Sequence, residues 1–265
     1  MRKEVSPNSK ILRRIVIGIA IYCGAFVLSY LFFTYFSQYF KYNNALVGTC
    51  SSFIAGFAAF LSFKSDEKPA LLYNAKAPFA KKPYLILFIL FVIVTAYALT
   101  IVFNFLFTLI PWEIFGNKNI VQNNDSFYSI PLYMRLIAYV LIGPFAEEML
   151  FRGVIFSRFR KLMPLWAAAV GSSLFFGIYH GNLMQGLYAF IMGSVMCVAM
   201  DMGGSIFYPL LFHIIANLIS NLCYEFDYIN NVVYSVPGIA ISAAYLVVAI
   251  ILCYVFKDKL TKKDK

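Results

Sequence analysis

Two adjacent carboxylates, Glu147 and Glu148, sit inside the apolar string Phe145-Ala146-Glu147-Glu148-Met149-Leu150-Phe151-Arg152-Gly153. Even lenient insertion scales charge about 2.5–3.5 kcal/mol for an acidic side chain at the centre of a bilayer, so the pair calls for a reason, and chemistry is the first to test. Glu148 and Arg152 are four apart and share one helix face, where an ion pair would hold both charges; Glu147 is turned about 100° away. Burial disfavours the charge on the unpaired glutamate and readies it to accept a proton, which makes Glu147 the candidate general base.

Both histidines of the chain lie downstream in apolar runs. His180 closes Ser172-Ser173-Leu174-Phe175-Phe176-Gly177-Ile178-Tyr179-His180, and His213 lies one helical turn before Asn217 on a shared face. A single histidine at such depth commonly serves only as a hydrogen bonder between helices, and His with Asn commonly as polar glue. Both histidines together with a Glu-Glu pair favour a site. A base, an imidazole and two side-chain donors on one helix face are the parts needed to hydrolyse an amide without a covalent intermediate. Two histidines and a glutamate could instead ligate zinc, but the helix motif His-Glu-x-x-His is absent and no Cys or Asp joins them, so no metal or other cofactor is expected. Ser172 and Ser173 stand too close to His180 in sequence for a nucleophile–base dyad.

The elements that must position these residues are membrane spans. With 62% hydrophobic and 13% charged residues and a mean hydropathy of +0.76, the chain cannot keep the surface of a soluble globule. Segments near the roughly 20 residues needed for a span give an all-α integral membrane protein, a bundle of about eight transmembrane helices with its catalytic core in the C-terminal half. They run from Ile11 to Phe36, Ala45 to Phe63, Tyr84 to Ile110, Leu132 to Phe156, Leu165 to Tyr179, Leu183 to Met200, Ser205 to Cys223 and Val232 to Phe256. Only Gly181 and Asn182 separate the fifth and sixth. Residues 1–131 read as accessory spans with a cytoplasmic linker, Lys64 to Pro83, and an external loop, Pro111 to Pro131; residues 132–225 read as the catalytic core, and 226–265 as a last span and basic tail.

Lys and Arg collect at the amino terminus, in the linker, after the fourth span at Arg158, Arg160 and Lys161, and in the tail, which places both termini in the cytoplasm of a multi-pass cell-membrane protein. The net charge of +10 is thus topological and suits an anionic lipid surface; its dispersal over several loops argues against nucleic acid. The first apolar run exceeds a signal-peptide core and reads as a retained anchor. Cys23, Cys50, Cys197, Cys223 and Cys253 form no metal or disulfide pattern and read as small buried hydrophobes. Glu147 and His213 can share the membrane midplane, whereas His180 falls nearer the external side; Pro144 and Gly177 are the expected places for the helix irregularity that reconciles them.

Glu147-Glu148-x-x-x-Arg152, Phe176-x-x-x-His180 and His213-x-x-x-Asn217, in that order, resemble the three signature motifs of the CPBP family, the CAAX prenyl endopeptidases and bacteriocin-processing or immunity (Abi) proteins. The resemblance covers roughly Arg135 to Cys223 and implies an intramembrane glutamate protease with a water-filled cavity. It implies that Glu147 with His180 orients and deprotonates the attacking water, that His213 with Asn217 forms the oxyanion hole, that Glu148 and Arg152 brace the site, and that Phe176 lines it. The implied partner is a peptide or protein substrate at the membrane. A Lys, Asn, Tyr, Phe and Ile bias hints at an AT-rich bacterial genome and hence at maturation of a signalling or bacteriocin peptide, or immunity to one. The competing expectation is a non-proteolytic membrane scaffold regulating a partner such as a sensor kinase. A proton-coupled transporter would call for internal repeat symmetry, which the sequence does not display.

Overall fold

A computed structural model describes residues 6–40, 44–64, 77, 79, 82–111 and 130–261. Most of the linker and of the external loop, together with Arg2, Lys3 and the last four residues, fall outside the described residues, and so do their expected topological roles. What is described is helical, with no strand among those residues.

Among the described residues nine helices follow one another: α1 (Pro7–Phe40), α2 (Asn44–Lys64), α3 (Lys82–Thr108), α4 (132–162), α5 (Leu165–Tyr179), α6 (Leu183–Gly203), α7 (Phe207–Glu225), α8 (Asp227–Val233) and α9 (Val236–Thr261). Their limits follow from local chemistry. The side chain of Asn182 accepts from Gln185 N at 2.8 Å and so caps the start of α6. Gly204, at φ 69°, closes the same helix by returning its N–H to Met200 O. The connection from α5 to α6 is as short as the sequence implied: His180 continues the last turn, and Gly181 at φ 70° reverses the chain.

All eight expected spans are helical, but by length and composition fewer qualify as membrane crossings. Pro7–Phe36, Tyr84–Thr108, Leu183–Gly203 and Phe207–Glu225 are long and apolar enough, and a fifth arises if Asp227–Val233 and Val236–Ile251, bent by 54° at their junction, count as one broken span. Leu46–Ser62 and Leu165–Tyr179 are apolar yet short, and the fourth expected span is no single regular helix. The protein is an all-α membrane protein, and among the described residues four or five helices qualify as crossings on this measure, which does not by itself reach the expected eight.

The irregularity lies in α4. Ordinary α-helix at Leu132–Arg135, Gly143–Glu148 and Ser157–Leu162 alternates with wider π-helix at Leu136–Ile142 and Met149–Phe156. The two glutamates thus sit on one tight stretch between two wide ones. Pro144 is part of this irregularity, as expected. Gly177 is not: α5 runs unbroken past it, and its role is close approach, since a Cβ there would meet Gly186 O on α6 at 2.7 Å.

Small residues also seat the first two helices on α4. A Cβ at Gly56 would meet Ala146 Cα at 2.6 Å, and one at Gly18 would meet Val154 Cγ1 at 2.5 Å. Backbones therefore come together where lipid supplies no hydrophobic drive for helices to associate. The accessory helices lie directly against the segment that carries the carboxylates.

Three sequence expectations need correction. Cys23 and Cys50 are exposed on the helix surface, because apolar side chains of a membrane bundle face outward as readily as inward; Cys197 and Cys223 are buried as expected. Arg158 is not a loop residue, since α4 runs on through it; it is 2% exposed, and its guanidinium donates to Val154 O at 2.9 Å and to Ser62 O at 3.3 Å. Arg160 pairs with Asp201 of α6 at 2.9 Å.

Candidate active site

Glu148 is fully buried, and one of its oxygens, Oε1, accepts from two side chains: Arg152 Nη1 at 2.9 Å and His213 Nδ1 at 2.9 Å. The first bond is the same-face pair that the four-residue spacing predicts. Arg152, also fully buried, reaches on to Gly193 O at 3.3 Å and lies over the Phe176 ring with 4.5 Å to its centroid. Position 193 needs glycine, because a Cβ there would stand 2.9 Å from Arg152 Nη2 and 3.1 Å from the Phe176 ring. Nothing in the sequence signals Gly193, since only the packing of α6 on α4 brings it there.

His213 links the two carboxylates. A nitrogen facing a carboxylate oxygen at hydrogen-bond distance donates, so Nδ1 carries the proton and a neutral ring keeps its lone pair on Nε2. That Nε2 stands 3.7 Å from Glu147 Oε2. The separation is too long for a hydrogen bond and suits one bridging water. Glu147 remains partly exposed at 19%, against 0% for Glu148, so adjacent carboxylates have opposite surroundings. Glu148 Oε2, by contrast, is buried with no hydrogen-bond partner among the described residues.

His180 also packs against Phe176. Its ring centroid is 4.9 Å from that of Phe176, and the His213 centroid is 5.9 Å from it, so the two imidazoles border one aromatic ring. His180 Nδ1 donates to Phe176 O at 2.9 Å, which leaves Nε2 as the acceptor of the neutral ring. Among the described residues no ion pair joins His180 to Glu147; the imidazole in that position is His213. Tyr179, whose ring is 5.8 Å from His180, packs 5.4 Å from Phe151 of α4.

Asn217 has a structural task. At the end of the first π stretch Gly143 N–H bonds to Ala138 O, five residues back, and Pro144 has no N–H for the next carbonyl, that of Tyr139. Asn217 Nδ2 donates to Tyr139 O at 2.8 Å and satisfies it. Pro144, five residues after Tyr139, is the signal that could have revealed this need. One of the two amide hydrogens of Asn217 is thereby taken, and the other stays available as a donor.

Ser172 Oγ donates to Phe151 O at 2.8 Å and is fully buried, an arrangement that ties α5 to α4. As for metal, Glu148 Oε1 is already shared by a guanidinium and an imidazole, and among the described residues no group of three or more His, Cys, Asp and Glu could hold an ion.

With this geometry in hand, comparison with known proteins adds one finding. Residues 129–219 match the family model described as type II CAAX prenyl endopeptidase Rce1-like. The match takes in all seven motif residues and leaves α1, α2 and α3 outside. No curated protein and no solved structure matches the chain.

Proposed function

We propose that this membrane protein is an intramembrane endopeptidase in which Glu147 activates water against a peptide bond, a reading supported by the match of residues 129–219 to the Rce1-like family model. The observation that carries the reading is the chain Arg152–Glu148–His213–Glu147, one buried ion pair extended through an imidazole to a partly exposed carboxylate.

In the proposed step a water spans the gap between Glu147 Oε2 and His213 Nε2, donating one hydrogen to each. Glu147 takes its proton as the oxygen attacks the carbonyl, then returns it to the leaving amine nitrogen. Glu148 keeps the His213 ring in one tautomer, as a buried acid does behind a catalytic imidazole. Arg152 in turn holds Glu148 in place through their buried ion pair. The free amide hydrogen of Asn217 serves the developing oxyanion. His213 could share in that task only when doubly protonated, because its Nδ1 proton is committed to Glu148. His180 offers Nε2 from beside Phe176, where it orients the water or passes its proton on. This division of labour moves the imidazole beside the base from His180, the partner implied by the resemblance, to His213.

The substrate is a peptide or protein associated with the bilayer, processed by a core held within residues 132–225 of a multi-pass cell-membrane protein with cytoplasmic termini. Within that class we favour maturation of a bacterial signalling or bacteriocin peptide, or immunity to one. The test compares wild type with Glu147→Gln, both purified in detergent, on a library of apolar fluorogenic peptides, with and without a chelator. Loss of cleavage by at least a hundredfold in the variant alone, indifferent to chelator, is the expected result. Equal activity of the variant, or a biological function that survives Glu147→Ala, would replace the protease reading with the scaffold.

A further inference from the structure

Next to His180 lies a polar pair that none of the motifs includes, half of it contributed from outside the matched segment. Tyr22 of α1, 3% exposed, and Tyr179, at the end of α5, bring their hydroxyls to 3.4 Å of each other. The Tyr179 ring packs 5.8 Å from His180 and 5.4 Å from Phe151, which lies four residues after Glu147 on α4. The O···O separation is long for hydroxyls, whose bonds centre near 2.7–2.8 Å, so the pair holds itself weakly and can exchange its contact for a better one. The same two tyrosines also wall a recess of about 160 Å³, completed by Cys23, Phe26 and Val27 and almost wholly apolar.

These features meet the two needs of a peptide on its way to a buried base. An apolar cavity of about 150 Å³ accommodates one benzene, so the recess has room for a single leucine- or phenylalanine-sized side chain and not for a long lipid tail. Tyrosine joins an apolar body to a polar tip, which lets one residue wall the recess with its ring and donate to a backbone carbonyl with its hydroxyl. We propose that Tyr22 and Tyr179 are substrate-positioning residues, holding the peptide backbone beside Glu147 while the recess receives the apolar side chain next to the scissile bond. Helix α1, outside the matched domain, then sets the specificity of the site. This inference rests on the peptide-hydrolase reading above.

The experiment uses the full chain in detergent micelles and a fluorogenic library of apolar peptides in which each position is varied among Gly, Ala, Leu and Phe. Wild type, Tyr22→Phe, Val27→Trp and Glu147→Gln are compared by kcat and KM, and folding is checked by thermal unfolding. Tyr22→Phe keeps the ring and removes the hydroxyl; KM rises about three- to tenfold, the effect of one lost hydrogen bond, while kcat moves less. Val27→Trp fills the recess, and the kcat/KM preference for Leu or Phe over Ala next to the cleaved bond falls at least tenfold. Should either folded variant leave its parameter unchanged while cleavage still depends on Glu147, the positioning role is wrong and the protease reading stands. Absence of any Glu147-dependent cleavage removes both.

Discussion

Glu148 and Glu147 are chemically identical neighbours, and their environments alone separate them. Glu148 is enclosed, with Arg152 and His213 on one oxygen, so removing a partner strands a buried charge. Breaking such a pair typically removes about 3–5 kcal/mol of stability. Arg152→Met is therefore expected to lower the unfolding midpoint in detergent sharply, whereas Glu147→Gln, at a partly exposed position, is expected to abolish activity with little change in that midpoint. Asn217 permits a cleaner dissection. Asn217→Ala removes the bond to the Tyr139 carbonyl and should destabilise by about 0.5–1.5 kcal/mol. In a Pro144→Ala background the chain regains an N–H at the right position, so the same substitution should be milder there. Unfolding measurements on the four proteins of this cycle give the coupling directly, and a zero coupling would mean that Pro144 is not why Tyr139 needs Asn217.

At the scale of elements, the glutamates owe their place to α4 and to what packs on it. Two π stretches bracket residues 143–148, a local rewinding of the kind found at functional sites. Helix α2 is seated on this segment through Gly56, whose hypothetical Cβ meets Ala146 Cα at 2.6 Å, while Gly48, eight residues earlier on the same helix, has nothing within 4 Å. Gly56→Ala should cost about 1–3 kcal/mol through overpacking against backbone and should depress activity by displacing the neighbouring carboxylates. Gly48→Ala, free of clash, should be neutral or stabilise by up to about 1 kcal/mol through helix propensity. If the two substitutions behave alike under thermal unfolding and in a cleavage assay, close approach at Gly56 is not what positions α4.

For the whole molecule, accessory and catalytic helices form one packed body. Phe88 of α3 meets Tyr208 of α7 at 4.8 Å between ring centroids, and Asn104 of α3 donates to Tyr234, just before α9, at 2.9 Å. Polar links of this kind are held within the bundle, where helices satisfy one another in the absence of water. Buried Arg135 pairs with Glu225 across α4 and α7. The charge distribution makes a global prediction as well. The proposed cytoplasmic placement of the carboxy terminus predicts that a green fluorescent protein fused after Lys265 fluoresces and that an alkaline phosphatase fused there is inactive; the reverse pattern would overturn that topology.

What the sequence determined by itself was the class and the cast: apolar composition demanded an all-α membrane protein, and a four-residue spacing was enough to join Glu148 to Arg152, because helix periodicity is local. The short reversal at Gly181 and Asn182 was legible for the same reason. Tertiary structure alone decided which imidazole stands at Glu147, that Asn217 donates to the Tyr139 carbonyl, that Gly193 makes room for Arg152, and that Tyr22 from the first helix meets Tyr179. Each of these depends on the offset and rotation of one helix against another, and on a π register that shifts every later side chain around the axis. Hydropathy carries no record of either quantity, since it counts apolar residues without saying which neighbour they face.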